Sequence, residues 1–365
     1  MRHATGLSAV VLVMLSSLVF ADAPAAKQPA PAQPAAPATP KSLSETAKML
    51  DPIQVESLTI TPIVTTKQQI DDQKLLVLDE AMPKKLVRIH EVDDGDVNNL
   101  TLTNRSDQPL FLLAGEVIIG GKQDRIIGRN TIVPPKKTQT VPVFCVEHGR
   151  WQGSSKEFTT AKALAHGRLR GSASFDTQSD VWKEVAAKNE LRKTTSSTDT
   201  YRKVAAQQAG GSLAKWEKQV DTALDKLPSG DKDKLVGFAV ALNGKVATVD
   251  VFDNPSLFKK LQGKLVRSYI TEAIDVKKEK DVKPVTTKDV TDFIADAEKA
   301  KEEKAYDTDV AETAMKKGGK SAKAKVMYKP SKAGPRHNAA AGAAAPAAAA
   351  EADEGQAVFE TYQAR

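Results

Sequence analysis

The sequence predicts an α+β fold with a β-rich, sandwich-like N-terminal half, a helical middle, and a C-terminal hairpin followed by helices. Segments with apolar residues at every second position dominate up to residue 152, and this period is typical of half-buried strands. Apolar residues spaced by three and four between residues 178 and 227 indicate helices. Two apolar runs then flank Asn243-Gly244, the kind of pair most favoured in tight hairpin turns.

The composition is that of a globular protein. Apolar residues make up 41% and charged residues 27% of the 365-residue chain, so most of it is expected to fold. A formal net charge of +7 is too small to indicate nucleic-acid binding. A single cysteine cannot form a disulfide within its own chain, and the histidines lack the spacing of metal ligands. The sequence therefore predicts no nucleic-acid partner, no metal site and no cofactor.

Residues 1–23 have the three parts of a signal peptide: a short basic start, an apolar run over residues 7–20, and alanines around a cleavage site. The apolar run is shorter than the roughly 20 residues that span a membrane. We expect cleavage, no membrane span afterwards, and an extracytoplasmic protein that is periplasmic or secreted. An uncleaved anchor is the alternative. Residues 24–44 follow as an Ala/Pro-rich linker.

The folded domain is predicted to cover residues 45–310 and to begin with strands. The segments "SLTITPIV" and "NLTLTN" alternate apolar and polar residues. After the turn "NRSDQP", the run "LFLLAGEVIIGG" predicts another strand. The segment "TIVPPKKTQTVPVFCVE" predicts two more, and its prolines indicate strand ends or edges.

Helices are predicted in the middle and in the last part of this domain. At least two fall between residues 178 and 227, interrupted by polar and Gly-rich segments. The hairpin around Asn243-Gly244 leads into a helix that Asn254 can cap and whose first turn accommodates Pro255. A further helix is predicted over residues 288–304, where apolar residues share one face.

Residues 311–356 are predicted to be a basic and Ala-rich low-complexity segment. Its first part, residues 316–336, contains eight lysines or arginines and no acid. Solvated cations are the simplest interpretation, and an anionic lipid or envelope polymer is the alternative partner. Residues 357–365 have strand-like content, so we expect a terminal strand that pairs 358–362 with 326–328.

The segment "VPVFCVEHGRW" contains the only cysteine, Cys145, near the end of a predicted strand. Apolar residues on both faces predict a strand covered on both sides, where a cysteine is usually an inert part of the core. The alternative is a nucleophile that His148 activates. Glu147, Arg150 and Trp151 sit where the strand ends, and they form either a binding site or an ion pair beneath a packed tryptophan.

The segment "AGEVIIGGKQDRIIGR" predicts a hairpin that turns at Gly120-Gly121. Four polar residues follow the turn: Lys122, Gln123, Asp124 and Arg125. Glycine lets a backbone approach an anion closely, and lysine and arginine supply charge, so a phosphate or carboxylate site is one interpretation. A solvated hairpin tip is the other. The segment has neither the P-loop spacing nor the dinucleotide-binding spacing.

Five segments carry a family resemblance: "LTLTNRSDQPLFLLAGEVIIGGKQDRIIGRNTIVPP", "VPVFCVEHGRW", "VWKEV", "GFAVALNGKVATVDVF" and "LFKKLQGKLVRSYITEA". Together they resemble the ARG and Rhodanese-Phosphatase-superfamily-associated protein domain over most of residues 55–275. ARG stands for ADP-ribosylglycohydrolase, so the resemblance implies an association with ADP-ribose or NAD-related metabolism, or binding of such ligands. The positions it points to are Glu116, Lys122, Gln123, Asp124, Arg125, Cys145, Glu147, Arg150 and Trp151. Asp124 departs from the pattern, because many members have asparagine there.

These observations lead to three hypotheses about function. The first is a ligand-binding or scaffolding module of the cell envelope, with an anionic small molecule, an envelope polymer or another protein as partner. The second is a hydrolase of ADP-ribosylated or phosphorylated substrates, with Glu116 or Glu147 as general base. Arg125 or Arg150 would hold the phosphate in that enzyme. The third is a purely structural protein whose polar cluster is an internal ion-pair network.

Overall fold

The computed structural model describes residues 42–68, 74–92, 96–150, 153, 156–209, 211, 213–308, 311–328 and 356–365. The predicted signal peptide and nearly all of the predicted linker lie outside the described residues. A search of the described residues finds no helix long and apolar enough to cross a membrane.

The described chain forms strands throughout and helices mainly in its middle, as expected for an α+β fold. The strands are β1 (Ala47–Met49), β2 (Ile53–Val55), β3 (Leu58–Thr65), β4 (Val87–Glu91), β5 (Asn99–Asn104), β6 (Leu110–Leu112), β7 (Glu116–Gly120), β8 (Arg125–Ile127), β9 (Thr131–Val133), β10 (Thr138–Cys145), β11 (Phe158–Leu164), β12 (Leu235–Leu242), β13 (Lys245–Phe252), β14 (Glu302–Asp307), β15 (Ala311–Lys317), β16 (Ser321–Tyr328) and β17 (Gln356–Ala364). The helices are α1 (Leu78–Ala81), α2 (Gly167–Phe175), α3 (Gln178–Leu191), α4 (Arg202–Ala209), α5 (Ala214–Asp225), α6 (Ser229–Lys232), α7 (Pro255–Ala273) and α8 (Thr287–Glu298). A short 3₁₀ helix, Leu43–Thr46, precedes β1. The predicted fold class, including the β-rich N-terminal half, is confirmed.

One antiparallel sheet has nine strands in the order β1-β3-β12-β13-β17-β16-β15-β14, with β2 also paired to β3. All eight residues of β3 are buried, so its alternation does not produce the half-buried strand that the sequence predicts. Leu58 and Ile60 belong to a core with α7 residues such as Phe258. Ile63 belongs to a different core that includes Val290 of α8. Elements therefore cover both faces of β3, and its threonines are buried with its apolar residues.

A second sheet has six strands in the order β11-β7-β8-β10-β5-β4. Strands β7 and β8 form the predicted hairpin, in which Val117 is paired with Ile126. Strand β10 lies between β8 and β5. An apolar core contacts each of its faces: one core includes Val143, and the other includes Val146, which follows the end of the strand. This confirms that the strand carrying Cys145 is covered on both sides. Strands β5 and β6 follow one another across the predicted turn but belong to different sheets, because β6 pairs with β9.

The later elements follow the local signals in the sequence. Asn243 and Gly244 have φ values of 45° and 75°, as a tight turn between β12 and β13 requires. Asn254 accepts a hydrogen bond from the N–H of Leu257 and caps α7. Helix α8 ends at Glu298 rather than near residue 304, because the chain after it extends into β14 and pairs with β15.

The sheet continues beyond residue 310, where the sequence interpretation ended the folded domain. Strands β15 and β16 occupy the first part of the segment that was predicted to be of low complexity. Lys316 and Lys323 pair with Glu298 of α8, so an acid from outside the basic range 316–336 balances charges within it. Strand β17 pairs with β16 from Ser321↔Ala364 to Tyr328↔Gln356. Residues 329–355 lie outside the described residues.

Candidate functional site

The predicted hairpin tip and the end of β10 lie against each other. Arg150 Nη1 donates a hydrogen bond to the carbonyl of Gly121 at 2.8 Å. Gln123 Nε2 donates to the carbonyl of Glu147 at 2.7 Å, and the N–H of Asp124 donates to Glu147 Oε2 at 3.0 Å. The two candidate loops thus form one unit. We call it the hairpin cluster: residues 120–125 and 147–150.

Two glycines give the hairpin tip its shape. Gly120 and Gly121 have φ values of 140° and 52°, in a region that favours glycine. A Cβ atom on Gly120 would lie 2.3 Å from the carbonyl oxygen of Glu157. The chain can therefore turn here against β11 only with glycine at this position, and the turn carries the polar residues 122–125 toward the end of β10.

Asp124 is fully buried and surrounded by hydrogen-bond donors. Arg202 binds both carboxylate oxygens, with Nη2–Oδ1 at 2.6 Å and Nε–Oδ2 at 2.9 Å. The hydroxyl of Thr200 donates to Oδ2 at 2.9 Å, and the N–H of Gly120 donates to Oδ1 at 3.2 Å. Arg150 Nη2 lies 3.4 Å from Oδ1. Asp124 therefore fastens the hairpin tip to the start of α4, and its carboxylate is fully engaged.

Glu147 is engaged in the same way. Its Oε2 atom accepts the N–H of Asp124 at 3.0 Å and lies 2.8 Å from Arg150 Nη2. Burial raises the pKa of Glu147, but hydrogen bonds from Arg150, Asp124 and Thr198 outweigh burial and leave this pKa below its ordinary value. A carboxylate with a lowered pKa that already binds an arginine is a poor general base at neutral pH.

Arg125 differs from Arg150 and Arg202 because it has no acidic partner among the described residues. The residue is 1% exposed. Its Nη1 atom makes two long contacts with neutral acceptors, 3.2 Å to Gln123 Oε1 and 3.4 Å to the carbonyl of Asp124. Its Nε atom is buried without a hydrogen-bond partner. A buried cation is costly without a counter-charge, and none of the acids that the structure describes supplies one to Arg125.

Cys145 lies directly opposite Arg125 in the pairing of β8 with β10 and is buried. Burial raises the pKa of the Cys145 thiol, and the charge of Arg125 opposes this more weakly. His148 is exposed, and its ring packs edge-on against Trp182 with centroids 4.7 Å apart. A buried thiol with a raised pKa favours Cys145 as part of the core rather than as an activated nucleophile.

Glu116 lies outside the hairpin cluster. It is 1% exposed, and its Oε1 atom forms an ion pair with Lys264 of α7 at 2.7 Å. Lys264 also binds Asp79 at 2.7 Å, while the N–H of Leu113 donates to Glu116 Oε2 at 3.0 Å. Burial raises the pKa of Glu116, although Lys264 acts in the opposite direction. These contacts join α7 to the second sheet, so Glu116 has a clear part in the packing of the fold.

The remaining predicted ligand-binding residues have different positions. Gln123 is 2% exposed and bridges Arg125 and Glu147. The backbone N–H of Lys122 donates to Glu91 Oε1 at 2.9 Å. Trp151, which was predicted to bind the ligand, lies outside the described residues. In the described part of the chain, no group of three or more His, Cys, Asp or Glu side chains has the arrangement of a metal site.

The sequence interpretation missed the residues that complete the cluster from the helical middle. Arg202 and Thr200 bind Asp124, and Gln178 exchanges two hydrogen bonds of 2.9 Å with the backbone of Cys145. They lie in or beside segments whose local pattern indicates only helices and a polar connection. No local signal identifies them, because their role depends on which strand the helices cover.

Comparison with known proteins gives one match. A family model described as ARG and Rhodanese-Phosphatase-superfamily-associated Protein domain matches residues 46–334, a span that includes the hairpin cluster, the helical middle and strands up to β16. Neither the curated proteins nor the solved structures compared with the chain provide a match.

Proposed function

The chain belongs to the family of the ARG and Rhodanese-Phosphatase-superfamily-associated protein domain, and on that premise we propose an extracytoplasmic binding module whose ligand places a compact anionic group beside Arg125. Export rests on the signal-peptide pattern of residues 1–23. The anionic group is a phosphate or carboxylate, since these match the planar fork of a guanidinium. The ADP-ribose association in the family's name favours a nucleotide-like phosphate.

The single observation that carries this proposal is that no acid in the described ranges pairs with the buried Arg125. The two other arginines at the hairpin cluster are paired with acids, Arg150 with Glu147 and Arg202 with Asp124. Arg125 is more deeply buried than either, yet only neutral acceptors contact it among the described residues. An anion at the Nε–H edge of its guanidinium would give this buried donor a charge-assisted hydrogen bond.

The hydrolase hypothesis has weaker support. Both glutamates suggested as general base already bind cations, Glu116 through Lys264 and Glu147 through Arg150. The lowered pKa of Glu147 also reduces its strength as a base. The structural hypothesis is supported for Asp124, Glu147, Arg150 and Arg202, whose contacts with each other join the loops. It offers no reason for Arg125, which has no acidic partner in the described part of the chain.

A thermal-unfolding screen tests the proposal. The chain from residue 24 onward is heated with inorganic phosphate, ADP-ribose, NAD, sugar phosphates or anionic envelope polymers. A ligand at a hundredfold excess over its dissociation constant stabilises the folded state by about 2.7 kcal/mol, which is a measurable rise in Tm. We expect such a rise with a phosphate-bearing compound, and we expect Arg125→Met to abolish it.

Arg129→Met is the matched control. Arg129 is also partly buried, but its Nη1 atom donates to the carbonyls of Gly128, Ala173 and Ser174 at 2.8 to 2.9 Å. This variant should lose stability and keep the ligand-induced rise in Tm. If no compound raises the Tm, or if Arg125→Met retains the full rise, the proposed anion site is wrong.

A further inference from the structure

Strand β17 comes last in the described chain but lies inside the large sheet. It pairs with β13 from Thr248↔Gln363 to Phe252↔Phe359, and with β16 along its whole length. Seven of its nine residues are buried. Without β17, strands β13 and β16 would each have an unpaired edge facing the same gap, which we call the β17 slot.

The β17 slot recognises its strand by side chain as well as by backbone. On one face, Phe359 meets Phe252 and Phe111, with ring centroids 4.5 and 5.8 Å away. On the other face, Glu360 is completely buried and its Oε1 atom lies 3.0 Å from Lys323 Nζ of β16. A strand in this slot therefore needs an aromatic residue followed directly by an acid.

Further contacts to Glu360 come from the beginning of the described chain. Ser42 Oγ donates to Glu360 Oε2 at 2.6 Å, and the N–H of Leu43 donates to the same atom at 3.1 Å. The hydroxyl of Tyr362 lies 3.2 Å from this oxygen. The slot thus holds the carboxylate with neutral donors and one lysine, a set that fits the sequence of β17 specifically.

The segment between β16 and β17 is long enough that β17 need not pair within its own molecule. Tyr328 and Gln356 are direct partners in the sheet, yet residues 329–355 separate them in sequence. A segment of that length can span on the order of 90 Å when extended. It can therefore deliver β17 to its own slot or to the slot of a neighbouring molecule.

We propose that the β17 slot is a strand-acceptor site whose partner is β17 of a second copy of this chain, giving a strand-exchanged dimer. The backbone pairing and the Phe359 and Glu360 contacts are the same in either arrangement. The intramolecular arrangement has the advantage of a high effective concentration, so exchange needs concentrated protein or an opened slot.

Two charge reversals, each made together with Glu298→Gln because Glu298 also binds Lys323, separate exchange from self-pairing. Glu360→Lys places a second ammonium group against Lys323 of its own chain, whereas Lys323→Glu places a second carboxylate against Glu360 of its own chain. Each change buries two like charges, so β17 of either variant cannot pair in the slot of its own chain. In a mixed dimer each slot receives a strand of opposite charge. Co-refolding the two variants in equal amounts should give a one-to-one heterodimer by light scattering, while either variant alone gives no folded dimer.

A chain carrying both reversals is the control, because it restores an opposite-charge pair within one molecule and should fold as a monomer. If that chain folds and the mixture gives no heterodimer, the proposal is overturned. If the doubly reversed chain does not fold, the wild-type chain decides. After refolding at high concentration it should contain more dimer than a variant in which Asn-Gly replaces residues 329–355, and equal dimer content would overturn the proposal.

Discussion

At the scale of single residues, the energetic role of a charge depends on what faces it. Asp124 and Glu147 are buried acids, but each meets an arginine and backbone N–H groups that offset the loss of water. Arg125 is equally buried and meets neutral oxygens alone among the described residues. The same hairpin therefore contains charges that hold the fold together and one whose burial opposes folding.

Removing Arg125 should accordingly stabilise the protein in the absence of ligand. Arg125→Met keeps most of the side-chain length and eliminates the cost of burying a cation that no described acid neutralises, so we expect the free energy of unfolding to rise by about 1 kcal/mol. Urea denaturation without phosphate measures it. A loss of more than about 2 kcal/mol would mean that Arg125 supports the fold through its present contacts.

The buried Glu116–Lys264 pair gives the opposite expectation. Lys264→Met leaves Glu116 buried without its cation and should cost about 3 to 5 kcal/mol. Adding Glu116→Gln should recover a large part of that loss, because the uncompensated charge disappears. Urea denaturation of both single variants and the double variant gives the coupling energy. Additive losses would show that the two residues do not act as a pair.

At the scale of elements, one residue fastens α8 to three strands of the large sheet. Glu298 binds Lys323 of β16, Lys316 of β15 at 2.9 Å, and the hydroxyl of Tyr362 of β17 at 2.9 Å. Burial raises the pKa of Glu298, but hydrogen bonds from Lys323, Lys316 and Tyr362 outweigh it and lower the pKa from 4.5 to about 2. Helix α8 is therefore held by an ionised carboxylate.

This lowered pKa predicts how stability changes with pH. The contribution of Glu298 is complete above its unfolded-state pKa of 4.5 and is lost as pH falls toward about 2. Glu298→Gln should thus be less stable than wild type at pH 7, and the difference should shrink between pH 4.5 and 2. Urea denaturation at pH 7, 4 and 3 measures it, with the exposed Glu190→Gln as control. A difference that stays constant with pH would contradict this role.

Elements with strong local signals were predictable from the sequence, and others were not. The Asn243-Gly244 turn and the Asn254 cap follow from backbone preferences within a few residues, and both occur as expected. The burial of Cys145 follows from apolar residues on both faces of β10. The length of α8 was overestimated, because its end depends on the pairing of β14 with β15 rather than on local pattern.

At the scale of the whole molecule, the order of strands in the large sheet departs furthest from the order in sequence. Strand β3 neighbours β12, and β13 neighbours β17, so distant segments build the same core. The pairing of residues 326–328 with the last strand could be expected from their strand-like content, but the position of β17 inside the sheet could not. The pairing of Arg202 with Asp124 could not be predicted either. The position of β17 and this ion pair both depend on contacts between distant segments, and no local sequence pattern indicates such contacts.

The central position of β17 predicts a large effect of a single truncation. Phe359 is fully buried between Phe111 and Phe252, so Phe359→Ala should cost about 3 to 5 kcal/mol in unfolding free energy. Leu191→Ala is the control, since Leu191 is 59% exposed and its truncation should change stability by less than about 0.5 kcal/mol. A loss of less than about 1 kcal/mol for Phe359→Ala would contradict the assignment of β17 to the interior of the sheet.

The central claim is that Arg125, a buried cation with no acidic partner among the described residues, binds the anionic group of a ligand, and NMR of arginine side chains tests it most directly. In ¹⁵N-labelled protein, the Nε–H resonance that disappears in Arg125→Met belongs to Arg125. Titration with inorganic phosphate or the best compound from the thermal screen should move this resonance saturably, while the Nε–H resonance of Arg129 stays in place. An Arg125 resonance that remains unchanged at saturating concentrations of these anions would contradict the account.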